Sequence, residues 1–175
     1  MSQESVRTDV LGHESSVQYS RTWAGYALVA MRVSIGWVLF DAGVTRLTDS
    51  NWSVEEIFLG VSAANPFADA FAAFGHSLSW LLGPLVVWGL AVTGASLIFG
   101  AAVRVSAAVG AAIMLLLWLT SLPLGDATLV DYHLVYAFVL FALGAFGAGR
   151  VVGLDAYFEA HAAVQKRPWL RYLLG

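Results

Sequence analysis

The chain has 175 residues, 59% of them apolar and only 12% charged, about half the roughly 25% charged that soluble domains carry. That balance excludes an ordinary water-soluble globular fold, and a net charge of −3 excludes a basic face for nucleic acid. With no cysteine in the chain, disulfides, thiolate metal sites, iron–sulfur clusters and covalent haem attachment are excluded as well.

Residues 1–22 are polar, and no small-residue cleavage site follows a short apolar core, so they read as a polar N-terminal tail rather than a leader. Four apolar stretches follow, at about 23–47, 78–103, 105–122 and 130–152, each near the roughly 20 residues that cross a bilayer as a helix. The mean hydropathy of +0.73 is spread over all four rather than held in one anchor. The breaks have physical causes. Arg104 puts a cation where the second stretch ends, making a tight hairpin with the third, and Pro123 with Gly125 stops the third.

Residues 51–76 are too interrupted by Glu55, Glu56 and Asp69 to cross. Ser53 followed by Glu56 predicts a capping box opening one short helix. Asn65-Pro66 predicts a second start, with Phe67, Phe71 and Phe74 as an aromatic stripe on it. Residues 156–175 mix aromatic residues with cations, which suits an interfacial helix. The predicted fold is therefore an all-α membrane protein: a four transmembrane helix bundle over 23–155, with short surface helices between helices 1 and 2 and an interfacial C-terminal tail. Small residues four apart, Ala91/Ala95, Ala108/Ala112 and Ala145/Gly149, are the predicted helix contacts.

Lys and Arg near the span ends divide seven to one if the N-terminus is cytoplasmic, with Arg46 alone on the far side. The positive-inside rule then places both termini in the cytoplasm and the chain in the plasma membrane. Arg32 is left inside the membrane. At about 1.5 Å per residue it lies roughly a third of the way into the first span, and Asp41 lies nearer the far end on the opposite side of the helix. Ionisable groups at that depth need partners. The candidates are Asp155 for Arg32, and Arg46 or His133 for Asp41.

His133 stands beside Asp131 and Tyr132 near the start of the fourth span. A carboxylate against an imidazole there could relay a proton, hydrogen-bond a quinone carbonyl, or simply pin helix 1 to helix 4. Trp37, Trp88 and Trp118 could line a flat ligand or pack as ordinary core, whereas Trp80 suits an interfacial belt. His76 has no regular ligand spacing to His133, and no metal site is predicted.

Three pieces resemble the DoxX/DoxD family of membrane proteins. The first span carries Arg32, Gly36, Gly43 and Arg46-Leu47; the second ends Gly94 to Gly100 and Arg104; the fourth ends Gly147, Gly149, Arg150, Gly153 and Leu154-Asp155. The resemblance implies a four-helix membrane fold and a link to quinone-coupled sulfur oxidation, in which DoxD is similar to the small subunit of a thiosulfate:quinone oxidoreductase. Without cysteines or a cofactor motif, the chain is expected to hold no cofactor of its own but could bind quinone and dock another subunit or a second copy in lipid. A non-catalytic accessory that positions another membrane complex explains the small-residue faces and scarce polar groups with fewer assumptions. A solute carrier is less expected, because Pro84 lies near a span end and the chain lacks the mid-membrane helix interruptions that carriers use.

Overall fold

A computed structural model describes residues 3–10, 13–123, 130–165 and 173–175. Two strands, β1 (Gln3–Val10) and β2 (His13–Ser20), pair antiparallel ahead of the first helix. The N-terminal tail thus departs from the all-α expectation. The two strands pair in a register that begins at Gln3 opposite Ser20 and ends at Val10 opposite His13.

Helix α1 runs Arg21–Thr48 and, at 28 residues, is roughly 42 Å long, more than the bilayer's hydrocarbon core. Its buried residues, Arg32, Ile35, Gly36, Leu39 and Gly43, recur every three or four positions and form one face. At its end Asp49 accepts from the Asn51 amide and turns the chain. Helix α2 (Val54–Leu59) is capped by Ser53, whose Oγ accepts from the Glu55 amide, one residue earlier than the predicted box would use.

The predicted second surface helix is not separate. Helix α3 runs unbroken over Ala68–Phe99, 32 residues, joining the surface segment to the second span because nothing between His76 and Leu78 interrupts it. Of the aromatic stripe only Phe71 is buried, against Phe58 of α2, while Phe67 and Phe74 stay exposed. Asn65 does more than start this helix. It is buried, its Oδ1 accepts from the Phe67 amide, and its Nδ2 donates to the Leu119 and Leu122 carbonyls at 2.8 Å each. The connection is thereby fastened to the end of α4 (Val103–Thr120).

Helix α5 covers Tyr132–Ala145, 14 residues or roughly 21 Å. The predicted fourth span of 130–152 is shortened because Gly147 takes a left-handed φ of 63° and a 3-10 turn, Ala148–Arg150, follows. Helices α6 (Leu154–Ala160) and α7 (Ala162–Gln165) are short, and the remainder of the predicted interfacial tail, 166–172, lies outside the described residues. Three helices, α1, α3 and α4, are long and apolar enough to cross a membrane, and α5 is apolar but shorter.

Each of these four packs on two others, α1 on α3 and α5, and α4 on α3 and α5. Leu39, Val86, Leu90, Leu97, Leu140 and Leu143 fill the space between them. The closest approach is α1 to α3. A Cβ on Gly94 would lie 2.3 Å from the Phe40 amide nitrogen, and one on Gly43 would lie 2.4 Å from that of Ala91. Glycine is obligatory at such a crossing. Of the predicted small-residue contacts Ala91 is used here, whereas Ala108 and Ala112 face outward.

Candidate functional site

The predicted polar residues separate into two groups at opposite ends of the helices. At the first end, Arg32 is 2% exposed. Its Nη1 donates to the carbonyls of Ala148 (2.6 Å) and Val151 (3.1 Å), and its Nη2 to that of Val152 (3.0 Å). Only Nε lacks an acceptor. A charge this deep is tolerated because three carbonyls of an irregular turn need donors and have no helix to supply them.

Asp155, fully buried, approaches the same place from the other side. Its Oδ1 accepts from the Ala102 amide at 2.6 Å and its Oδ2 from Val103 at 3.0 Å and Gly175 at 2.8 Å, while its own amide donates to the Gly100 carbonyl. A carboxylate from 53 positions away is thus the N-terminal cap of α4, where amides lack partners and the helix dipole favours negative charge. Arg32 and Asp155 meet through the backbone between them rather than through a direct bond.

Glycines make that approach possible. A Cβ on Gly100 would stand 2.7 Å from Arg32 Nη1, one on Gly153 2.8 Å from it, and one on Gly149 2.1 Å from Asp155 Oδ2. Val152, a β-branched residue held at a φ of 50°, shows strain in the turn that the guanidinium clamps. Arg32 is level with the α3–α4 turn.

The three sequence pieces that carried the resemblance converge on this turn, and a family comparison decides what it means. The DoxX family model matches residues 27–122, more than half of the chain. The chain belongs to the DoxX family. No curated protein and no solved structure matches it. With its three long apolar helices, this DoxX chain is a multi-pass membrane protein.

At the other end the predicted cluster is only partly assembled. Asp131 caps α5 just outside the helix, with Oδ1 accepting from the Leu134 amide at 3.0 Å and Oδ2 2.7 Å from His133 Nδ1. Burial opposes the charged form of Asp131, but the hydrogen bonds from His133 and the Leu134 amide outweigh it and hold the carboxyl below its ordinary range. The Tyr132 ring lies 4.0 Å from the His133 ring. Both residues, with Tyr136, Leu39 and Arg46, line a crevice of about 80 Å³ between α1 and α5.

Asp41 does not join them. It is exposed on α1 and makes no hydrogen bond or ion pair among the described residues; Arg46 instead donates to the Ala42 carbonyl. The reason is helical phase. Nine residues are two and a half turns, so a helix that buries Arg32 turns Asp41 outward. Trp37, one turn before Asp41, is also exposed, and its ring partner is Phe40. Among the described residues no group of three potential metal ligands comes together.

Proposed function

We propose that this DoxX protein is a non-catalytic accessory subunit that docks a partner protein inside the plasma membrane through the outward face of α1. Asp41 carries the reading. It stands roughly 14 Å along α1 from Arg32 and roughly 8 Å from Arg46, well within the apolar layer. A carboxylate facing lipid at the helix centre costs about 2.5 to 3.5 kcal/mol on insertion scales. A donor from a neighbouring transmembrane helix removes that cost. A second copy related by a two-fold axis along α1 would bring Asp41 against its own mate, so the fitting partner is a different chain with a basic or amide side chain at this depth.

In this reading α5 is a fourth membrane-inserted helix that completes a bundle, its exposed Phe138 and Phe141 facing lipid. Arg104 and Arg150 lie at the Arg32 end and Arg46 at the other, which supports a cytoplasmic Arg32 end.

One observation favours a second reading, a quinone-linked oxidoreductase in which this chain holds the quinone between α1 and α5. Asp131 fixes the His133 ring so that Nε2 is left over for a quinone carbonyl in the α1–α5 crevice. At about 80 Å³ that crevice would have to widen, since ligand pockets run from roughly 300 Å³ upward.

Purification from native membranes in mild detergent tests both. Docking predicts a stoichiometric companion that is lost from Asp41→Asn while the variant's own unfolding temperature holds; retention of the companion by the variant refutes it. The second reading predicts extractable quinone that disappears in His133→Ala.

A further inference from the structure

A larger opening shares Arg46 with the α1–α5 crevice but lies on the α3 side of it. It is an open cleft of about 440 Å³ where the end of α1, the start of α2 and the middle of α3 meet, within the range of small-molecule sites. Gly43 against Ala91 sets the antiparallel register, so that three residues further along α1 Arg46 comes level with Trp88 on α3. Trp80, Pro84 and Trp88, at i, i+4 and i+8, form the α3 wall over roughly 12 Å. Trp52 closes the end, placed there by the hydrogen bond its amide donates to the Asp49 carbonyl.

The lining is rich in donors and poor in acceptors. Arg46 is the only Lys or Arg between Arg32 and Arg104, and its one hydrogen bond among the described residues goes from Nη1 to the Ala42 carbonyl at 2.8 Å. A guanidinium has five N–H donors, so most remain for a ligand. The guanidinium carbon lies 5.9 Å from the centre of the Trp52 ring, which orients it without using those donors. None of the indole N–H groups of Trp52, Trp80 and Trp88 has an acceptor among the described residues. Ser53 and Ser79 add hydroxyls, and no carboxylate lines the cleft although Asp49, Glu55 and Glu56 are near in sequence.

These features decide the class of ligand. Three indoles alone would suit a quaternary ammonium, but Arg46 in the same cleft repels one. A guanidinium with several free N–H groups matches the tetrahedral oxygens of a phosphate. The indole wall continues from Trp80 to Trp88, both more than half exposed, and offers an apolar track for a chain attached to that phosphate. We propose that this cleft binds a phosphate group at the membrane surface, held by Arg46 and walled by Trp52, Trp80 and Trp88. The phosphate comes either from an anionic phospholipid or from a free anion.

The purified protein in detergent is titrated with short-chain phosphatidylglycerol, with the matching phosphatidylcholine and with inorganic phosphate, reading tryptophan fluorescence and bound mass by native mass spectrometry. Saturable binding of phosphatidylglycerol that phosphatidylcholine does not reproduce identifies a lipid headgroup site; equal saturation by inorganic phosphate identifies a free-anion site. In either case Arg46→Gln weakens binding about tenfold or more and Arg46→Lys restores part of it. The Arg46 side chain bonds only to its own helix, so the unfolding temperature of Arg46→Gln confirms that the fold is intact. Binding that is equal for the two lipids, absent for all three probes, or unchanged in Arg46→Gln overturns the proposal.

Discussion

Arg32 and Arg46 lie on the same helix, fourteen positions apart, and do opposite things. Arg32 is enclosed, and both its terminal nitrogens are taken by three carbonyls of one strained turn. Arg46 is partly buried, hydrogen-bonds only within its own helix and lines an open cleft. A charge belongs to the fold when the surrounding backbone lacks partners, as the turn after α5 does, and is free for ligands when the neighbouring helices already satisfy themselves. The comparison divides the molecule into an end built for stability and an end, together with the outer face of α1, that has bonding capacity left over.

Several substitutions can break that division. The largest effect is expected for Arg32→Leu, which leaves three carbonyls and the Asp155 charge without their counterpart. A loss of about 3 to 5 kcal/mol is expected, read as a collapse of the unfolding temperature in detergent or failure to accumulate in membranes. Gly94→Ala comes next, because its methyl would meet the Phe40 amide nitrogen and the Gly36 carbonyl; about 1 to 3 kcal/mol is expected for such overpacking, by the same assay.

Arg46→Gln should change stability by less than about 1 kcal/mol, since the one hydrogen bond lost is to its own helix. A large loss there would show that the two ends are not different in kind. The smallest effect concerns pH. Since the Asp131 carboxyl is held below its ordinary range, its contribution to the start of α5 is complete at neutral pH and fades as pH falls through the folded value. Hydrogen exchange at the Leu134 amide should rise on acidification relative to the intrinsic rate at each pH, and Asp131→Asn should remove that dependence.

Much of the helical layout was legible from residues alone. The first and third apolar stretches, 23–47 and 105–122, fall within two residues of α1 and α4, because charged or helix-breaking residues mark their ends. The fourth stretch, 130–152, is longer than the helix it holds, Tyr132–Ala145. Gly144, Gly147, Gly149 and Gly153 are apolar enough to pass for a span, and their density signalled a close-packed turn around a guanidinium only once Arg32 was seen to enter it. The pairing of α1 and α3 through Gly36, Gly43 and Gly94 used glycines already noted for the resemblance, yet their partners depended on tertiary register, which spacing does not encode.

The placement of the site residues divides the same way. Arg32 and Asp155 were brought together as expected, through shared backbone rather than a direct pair. The expected pairing of Asp41 with His133 or Arg46 is not formed: the phase of α1 sets Asp41 opposite Arg32, and since the core takes the Arg32 face, Asp41 is turned outward. Asn65 bridging to Leu119 and Leu122, and the cleft at Arg46, had no sequence signal beyond an Asn-Pro step and a lone cation.

Docking through α1 is tested most directly by a photoactivatable side chain at position 44, which is exposed one turn from Asp41 on the same face. Illumination of native membranes should give one discrete protein adduct that vanishes when Asp41→Asn is added, while the same probe at position 141 on the lipid side of α5 labels only lipid. Lipid adducts alone at position 44, or an adduct that survives Asp41→Asn, would contradict the account.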